Sequence, residues 1–449
     1  MHLTFADRIR GVLRTTEQGS GGVSADPWPE TPSDPSSTGI DLGSVLGGEW
    51  RQRDGASCFV VETRREPSSV LGGETVGTLA GRLEEAAAGA ALVAGAPALS
   101  PFGFFDLETT GLSGGAGTYA FLVGCGSFDD DGAFVTRQYL LVRFADERSL
   151  LALVAGELAR AGALVSFNGK SFDAPLLETR FLYHRLEWSG ARRPHIDMLP
   201  VARRFWRRRD GVTAGATAPE TGCSLIALEQ QLLGTSRQGD IPGFEIPSRY
   251  FQFVRSGDAR QLCAVFNHNR LDLLSLAALT VRALHLVRVG PDGTDDPREA
   301  LALGWLYARG GLDRRAQGAY ARAVDLCADD GSMTGGFSAV RVDALRSLAL
   351  ARRRSRAYDE AAGYWRQLLE VRGCPRHLAR EATEALAIHH EHRVRDLETA
   401  RTFALRGLED GAKPAWNEAV RHRLDRIDRK IESLSARGAR LALFPDSLW

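Results

Sequence analysis

Two carboxylates, Asp106 and Glu108, stand one residue apart at the end of an apolar run in the segment 102–112, FGFFDLETTGL. Side chains at positions i and i+2 of a strand point to the same face, so we expect both carboxylates to project together where this strand ends. Adjacent carboxylates repel each other unless a cation lies between them, and Mg²⁺ and Mn²⁺ favour oxygen ligands. The pair therefore predicts a divalent-metal site, although Asp-x-Glu also occurs by chance at many strand ends and turns.

A second acidic motif occupies residues 166–173, SFNGKSFD, after a short apolar strand. Asp173 falls in the first turn of the helix predicted for 172–186, where the helix dipole favours a negative charge. Asn168 stands at the strand end, where it could hold a turn or a substrate group. Lys170 could contact a substrate phosphate, and a solvated loop lysine is an equal alternative. The motif thus adds a third acid and two candidate substrate contacts.

The third motif places His268 and Asp272 in the helix predicted for residues 258–287. The two residues are four positions apart, so they share one helical face. An isolated histidine is usually a satisfied core or surface residue. Together the three motifs supply four acidic groups and one base, which is the number needed to hold two divalent ions and activate a water molecule. The predicted catalytic set is Asp106, Glu108, Asp173, His268 and Asp272, with the four acids as metal ligands.

Further residues are candidates for contacts with a substrate. Arg237 and Tyr250 lie in and after a Gly/Pro-rich loop that could line a cleft beside the acids. The basic patch at 203–209, with Phe205 and Trp206 among its arginines, would suit stacking and phosphate contacts to a single strand. It would equally suit a solvated helix face in an arginine-rich chain. The predicted substrate-binding residues are Thr109, Asn168, Lys170, Arg237 and Tyr250.

The elements that must position these residues follow a characteristic order. Three strands, a helix, a strand and another helix are predicted at 102–107, 118–124, 133–142, 150–161, 163–167 and 172–186. Short connections between the first three strands indicate an antiparallel meander. This order describes the start of an α/β ribonuclease H-like fold, with three antiparallel strands followed by parallel strands and flanking helices. Asp197, just before the next predicted helix, is better explained as a helix N-cap than as a further site acid.

The remaining segments differ sharply in composition. Residues 1–39 are rich in Gly, Ser, Pro and acidic residues, which predicts a disordered tail. Order returns at 40–99, an extension that we expect to pack on the acid-bearing domain, and a Gly/Pro-rich linker is predicted at 289–297. Residues 298–449 follow a helical pattern throughout. Their small-residue spacing, which recurs at Ala316, Ala361 and Ala400, resembles the tetratricopeptide repeat.

Composition excludes several functional classes. The length of 449 residues predicts two or three domains, and the formal net charge of zero means that binding to nucleic acid would depend on local patches. Six cysteines without a Cys-x-x-Cys pair argue against a zinc site or a disulfide framework and fit a reducing cytosol. No apolar run approaches the roughly 18 residues of a membrane helix. We therefore expect a soluble cytoplasmic protein.

The ordered acids resemble those of the DEDD (DnaQ-like) exonuclease superfamily, and in particular the YprB-like family of ribonuclease H-like proteins. The resemblance spans roughly 40–288 and lies in FFDLETTGLSGGAGTYAFLVG, SFNGKSFDAPLLETR, HIDML, LGTSRQGDIPGFEIPSRYF and HNRLDLLSL. It implies a 3′–5′ exonuclease domain at 100–288 that hydrolyses nucleic acid, with DNA favoured over RNA. It also implies a role in DNA repair and a helicase or other protein partner for the repeats.

The resemblance further implies a role for each residue of the catalytic set. Asp106, Glu108 and Asp272 would hold one Mg²⁺ or Mn²⁺ ion, Asp106 with Asp173 would hold a second, and His268 would take the proton from the attacking water. One spacing departs from the superfamily, because His268 has the four-residue spacing of its tyrosine branch. An endonuclease on the same fold, or a nucleic-acid-binding scaffold with partner-recruiting repeats, remains open. The choices between DNA and RNA, and between single strand and duplex, also remain open.

Overall fold

The computed structural model describes residues 42–53, 55–111, 117–207, 222–329, 337–408 and 414–443. The tail predicted at 1–39 lies outside these residues, as does part of the basic patch at 203–209. Within the described ranges, every helix is too short or too polar to cross a membrane.

The strands of the described residues are β1 Glu49–Arg53, β2 Ala56–Arg65, β3 Val70–Leu71, β4 Glu74–Thr75, β5 Phe102–Thr109, β6 Ala120–Phe128, β7 Phe134–Leu140, β8 Ala163–Ser166 and β9 His195–Asp197. Seven of them form one sheet in the order β1-β2-β7-β6-β5-β8-β9, and β3 and β4 form a separate hairpin. Pairing is antiparallel from β1 to β5 along this order and parallel from β5 through β8 to β9. The predicted meander and mixed sheet are therefore confirmed, with element ends shifted by up to four residues.

The helices that flank the sheet are α1 Leu42–Leu46, α2 Val76–Ala86, α3 Ala90–Ala94, α4 Glu147–Leu158, α5 Asp173–Tyr183, α6 Met198–Phe205, α7 Leu225–Leu228, α8 Ile246–Ser256 and α9 Cys263–Val289. The C-terminal helices are α10 Pro297–Arg309, α11 Asp313–Asp329, α12 Ser338–Arg354, α13 Tyr358–Glu370, α14 Arg376–His389, α15 Leu397–Arg406 and α16 Pro414–Leu443. Each C-terminal helix packs on the next one in the chain. The region is all-α, as expected, and its assignment to the tetratricopeptide repeat stays a prediction.

The central strand β5 is buried on both faces, which explains its nearly continuous apolar sequence. Phe104 and Phe105 are both 0% exposed, but they enter different cores. Phe104 packs in the core that contains α9, whereas Phe105 packs in the core that contains α4, α5 and α8. Since i and i+2 share a face, Asp106 and Glu108 must leave the strand on the side of Phe104, which is the side of α9.

The extension predicted at 40–99 supplies two strands of the main sheet. β2 pairs with β7 from Phe59 opposite Leu140 to Arg65 opposite Phe134, and β1 pairs with β2. Its helix α2 packs along α9. The extension therefore widens the sheet on the side away from β8, while β5 stays central.

The segment predicted as a linker, 289–297, is a short ordered connection. It contains one 3₁₀ turn, Pro291–Gly293, followed by the buried residue Thr294, whose hydroxyl hydrogen-bonds Glu299 at the start of α10. Glu299 is 1% exposed and also accepts a hydrogen bond from Arg282 of α9, at 2.9 Å. One hydrophobic core runs from α6 and α9 into α10 and α11. The first helical pair thus shares a core with the sheet domain.

The aromatic residues of the basic patch belong to this shared core. Phe205 and Trp206 are 1% and 3% exposed, and the indole Nε1 of Trp206 donates to Glu299 at 2.8 Å. Neither ring is accessible to a nucleic-acid strand. Stacking on these two residues, one of the two alternatives for the patch, is therefore excluded, because their apolar surface is needed to join α6 to α10.

Candidate active site

The strand end of β5 presents Asp106 and Glu108 to a largely enclosed space. Glu108 is 9% exposed. Burial raises the pKa of both carboxyls well above the usual range, and the negative charges of Asp272 and Asp173 raise it further. The two carboxylates therefore lie close enough to the other predicted acids for their charges to interact, as the sequence pattern predicted.

Asp173 is the first residue of α5 and is 6% exposed. Burial, together with the charge of Asp197, raises the pKa of Asp173 to about 7. The chain reaches this position through Gly169, where an added Cβ would lie 2.2 Å from Ser166 Oγ and 3.0 Å from Asp173 Oδ2. Glycine is therefore required for the loop to pass so close to the acid.

Asp197 positions the loop that precedes Asp173. Its carboxylate caps α6 by accepting from the backbone N–H of Leu199 at 3.0 Å, so the N-cap prediction is confirmed. The same carboxylate accepts from the backbone N–H of Asn168 at 2.8 Å and of Lys170 at 3.2 Å. Asn168 adopts the left-handed conformation, with φ of 65°. The side chains of Asn168 and Lys170 are exposed, in the loop that leads to Asp173.

The helix α9 brings the third motif to the same place. His268 and Asp272 lie on one helical face, with His268 Nε2 3.5 Å from Asp272 Oδ2. Arg237 Nη2 lies 2.6 Å from Asp272 Oδ1. Burial raises the pKa of Asp272, while the charges of Arg237 and His268 oppose that effect. Asp272 is thus the one predicted acid with a cationic partner among the described residues.

Asn269 is a site residue that the sequence reasoning missed. It is 0% exposed, and its Nδ2 donates to Asp106 Oδ2 at 2.8 Å. Its Oδ1 accepts from Gln138 Nε2 of β7 at 2.9 Å. A Cβ at Gly124, the β6 residue opposite Asp106, would lie 2.2 Å from Asn269 Oδ1. The glycine therefore admits the amide that orients Asp106, and only its place next to His268 hints at this role in the sequence.

Arg237 is enclosed within the protein and does not face an open cleft. Its side chain is 3% exposed and lies among three acids. Arg237 Nε donates to Glu229 at 2.8 Å, and Nη1 donates to Asp240 at 3.2 Å. These contacts and the ion pair to Asp272 keep the guanidinium inside the protein. The predicted substrate contact of Arg237 is thus replaced by an internal role, and Glu229 and Asp240 join the site.

The two other predicted substrate contacts lie in different surroundings. Tyr250 is 0% exposed, stacks on Phe121 with ring centroids 4.0 Å apart, and donates to the backbone carbonyl of Leu141 at 2.9 Å. The apolar face of α8 carries Tyr250 into the core, which removes it from the substrate-binding set. Thr109 is 7% exposed at the end of β5 and donates to the Gly111 carbonyl at 3.0 Å.

The acid set fits a hard divalent cation in its chemistry. No salt bridge joins Asp106, Glu108 or Asp173 to a cationic side chain in the described part of the chain. The charges of Asp272 and Asp173 raise the pKa of Asp106 and Glu108, and such crowded carboxylates are the ligands that a divalent cation stabilises. Among the described residues, no three or more His, Cys, Asp or Glu side chains are arranged so that they could hold a metal ion.

Comparisons with known proteins agree with this fold. Residues 103–284 match a family model described as the RNase_H superfamily. The chain is also 29% identical over 339 residues to the Bacillus subtilis (strain 168) protein named "Uncharacterized protein YprB", over 74% of this chain and 75% of that protein. The matched segment begins in β5 and ends in α9, so it contains the whole predicted catalytic set. Nucleases of this fold generally use divalent metal ions. Residues 103–284 therefore form a domain of the ribonuclease H superfamily, a nuclease-type fold, in a chain similar to YprB.

Proposed function

We propose that the protein is a divalent-metal-dependent 3′–5′ exonuclease that hydrolyses phosphodiester bonds of nucleic acid, with DNA as the preferred substrate. One observation carries the proposal. Burial and the charges of Asp272 and Asp173 raise the pKa of Asp106 and Glu108 at the end of β5, and of the four acids only Asp272 has a cationic partner among the described residues. By contrast, the buried acid Glu147 is paired with a cation, because it accepts a hydrogen bond from Arg180 Nε at 2.6 Å. The unpaired cluster is suited to binding cations from solution.

The roles follow from the position of each group. Asp106, Glu108 and Asp272 would hold one Mg²⁺ or Mn²⁺ ion, and Asp106 with Asp173 would hold another. When bound, the ions supply charge stabilisation for the scissile phosphate and the leaving oxygen. His268, beside Asp272, would accept the proton of the attacking water. Asn269 would keep the Asp106 carboxylate directed into the site through its 2.8 Å hydrogen bond.

Substrate binding is proposed for the rim of the site. The exposed side chains of Asn168 and Lys170 belong to the loop that Asp197 holds beside Asp173. A lysine there suits a phosphate, and the asparagine amide suits a sugar or base edge. Thr109, at the strand end, would contact the substrate through its backbone or hydroxyl. These three residues are the part of the predicted substrate set that we retain.

We also propose a protein partner for the helices α10 to α16, with a helicase as the first candidate and DNA repair as the setting. The support is the resemblance to the YprB-like family together with an extended all-α region that contributes none of the acids. A cytoplasmic location remains a prediction from the cysteine content. The test is a forked-duplex assay, in which a purified candidate helicase should raise the rate of degradation by the full chain but not by a catalytically inactive variant.

The nuclease assignment is tested with 5′-labelled single-stranded and duplex DNA and RNA of one sequence. The full chain is assayed with a chelator, with Mg²⁺ and with Mn²⁺. We expect a ladder that shortens from the 3′ end, only with metal and most strongly on DNA, and no activity in Asp106→Asn. Cleavage of circular single-stranded DNA would establish an endonuclease instead. Tight binding without any cleavage, by a protein that is folded and loaded with metal, would support the scaffold alternative.

A further inference from the structure

His268 contacts a carboxylate at each ring nitrogen. Nδ1 lies 2.8 Å from Asp240 Oδ1, and Nε2 lies 3.5 Å from Asp272 Oδ2. The residue is 7% exposed, so the ring is enclosed. Asp272 is part of α9 itself, whereas Asp240 comes from the loop between the π-helical turn Glu229–Leu233 and α8. The direction of the imidazole therefore depends on a residue outside its own helix.

The loop that carries Asp240 is fixed to α9 by buried polar contacts. Arg237 lies 2.8 Å from Glu229, 3.2 Å from Asp240 and 2.6 Å from Asp272. Glu229 is held in turn by the hydroxyl of Ser275 in α9, at 2.8 Å. One guanidinium thus ties the π-helical turn, the loop and the helix together. This arrangement fixes the Asp240 carboxylate within hydrogen-bonding distance of His268 Nδ1.

The chemistry of Asp240 determines which nitrogen of His268 carries the proton. The Asp240 carboxylate forms an ion pair with Arg237, whose Nη1 donates to Oδ2 at 3.2 Å. An ionised carboxylate can only accept hydrogen bonds. Nδ1 must therefore be the donor, which leaves Nε2 directed to the side of Asp272. The backbone N–H of Ile241 donates to the same Oδ1 at 2.9 Å and holds the carboxylate in place.

We propose that Asp240 is a positioning residue: its carboxylate binds Nδ1–H of His268 and turns Nε2 toward the acid cluster, while Arg237 clamps the loop that carries it. This inference rests on the proposed function only where it gives His268 the role of base. It also accounts for the four-residue spacing between His268 and Asp272. At this spacing the ring lies directly beside Asp272, and the loop carboxylate supplies the second contact that sets its orientation.

The orientation can be tested without any catalytic assay. Proton NMR of the metal-free full chain should show a strongly deshielded Nδ1–H resonance, assigned to His268 by its loss in His268→Gln. The resonance should vanish in Asp240→Ala and persist in Glu245→Ala. Glu245 is the matched control, because it lies in the same segment and pairs with Arg249 instead. A resonance that survives in Asp240→Ala, or is absent from the parent protein, would overturn the proposal.

Kinetics with a labelled oligonucleotide test the consequence. Asp240→Ala should lower kcat by about 10- to 100-fold, the usual cost of losing a group that orients a site residue, with little change in KM. Asp240→Asn keeps an acceptor oxygen and should recover part of kcat. Equal kcat values in the parent protein and folded Asp240→Ala would show that His268 needs no such support. Absence of nuclease activity in every variant would refute the proposed function, and the NMR result would still decide the orientation.

Discussion

Two regions of the molecule bury carboxylates in opposite ways. In the helical region, Glu391 is 4% exposed and lies 2.7 Å from Arg426 Nη2 and 2.6 Å from Lys430 Nζ. Burial would raise its pKa, but the hydrogen bonds from Arg426 and Lys430 lower it to about 2. At the end of β5, burial raises the pKa of Asp106 and Glu108, and neighbouring acids add to the effect.

The contrast separates a carboxylate that supports the fold from the carboxylates that we propose bind metal ions. A buried charge is tolerated when the chain itself supplies the opposite charge in good geometry. Glu391 meets this condition within the protein, so its ion pairs can hold the π-helical turn His390–Val394 against α16. The acids of β5 have no such partner in the chain and are neutralised only by protons or ions from solution. In the metal-free protein their mutual repulsion therefore lowers stability. Asp272 is intermediate, because burial raises its pKa and the charge of Arg237 offsets part of that rise.

The largest expected effect is on the rate of cleavage. Asp106→Ala, Glu108→Ala, Asp173→Ala and Asp272→Ala should each lower it by orders of magnitude, because each removes a proposed metal ligand. Glu391→Gln should leave the rate unchanged, since its partners lie in the helical region. Initial rates on a labelled oligonucleotide, with circular dichroism to verify folding, provide the measurement. The assignment fails if two of the acid variants, properly folded, cleave nearly as fast as the parent protein.

Replacement of His268 should have a smaller effect. His268→Ala should slow cleavage by about 100-fold, within the range for loss of a positioned base, because the metal ions would still activate the water. His268→Tyr should recover part of the rate, as it restores the residue of the branch that shares this spacing. His285→Gln is the matched control, since His285 is also in α9 but contributes nothing to the site. Parental kinetics in His268→Ala would place the base elsewhere.

Much of this site could be predicted because it depends on local periodicity. The alternation of β5 places Asp106 beside Glu108, and the turn of α9 places His268 beside Asp272. Asn269 and Arg237 are different, because their partners come from other elements. Neither the 2.2 Å approach of Asn269 to the Cβ position of Gly124 nor the pairing of Arg237 with Glu229 leaves a local pattern.

The errors have the same origin. The sequence of an amphipathic helix indicates its polar and apolar faces. It does not indicate whether a Tyr or Trp side chain, which has both an apolar ring and a polar donor, is buried or exposed. Tyr250 and Trp206 each bury their ring and satisfy their one donor inside the protein, on Leu141 and Glu299. The linker at 289–297 stays a prediction, and composition does not show the buried contacts of Glu299 that join the elements on either side of it.

Metal binding should stabilise the protein through the acids at the end of β5 and not through Glu391. Mg²⁺ or Mn²⁺ should raise the melting temperature of the parent protein, with about 2.7 kcal/mol of stabilisation at 100 times the Kd. Asp106→Asn should show a smaller shift, because it removes a ligand. Glu391→Gln should melt at a lower temperature than the parent protein without metal, and metal should raise its melting temperature by as much as it does for the parent. Thermal denaturation with and without chelator measures all three, and identical shifts in the parent protein and Asp106→Asn would move the ions away from β5.

Glu391 should contribute stability that disappears in acid. Its pKa in the fold is about 2, below the ordinary value of 4.5, so the contribution is complete above pH 4.5 and is lost as the pH falls toward 2. Glu391→Gln should therefore be less stable at neutral pH, by about 1.5–3 kcal/mol for hydrogen bonds to charged groups. This difference should narrow between pH 4.5 and 2 in chemical denaturation. A difference that is independent of pH would show that the pair contributes packing rather than charge.

Asp173 should behave in the opposite sense, with the smallest effect. Its pKa in the fold is about 7, above the ordinary value of 3.8, so the folded protein takes up a proton more readily than the unfolded chain. Stability is therefore lost as the pH rises from about 3.8 to 7, and the loss is complete above 7. In metal-free protein, Asp173→Asn should be more stable than the parent at pH 8, by about 0.5–2 kcal/mol, as is common when a functional site is relieved of strain. The gain should shrink toward pH 4, where the parent carboxyl is protonated. A destabilised Asp173→Asn at pH 8 would mean that the ionised carboxylate supports the fold as Glu391 does, and the contrast between the two regions would be lost.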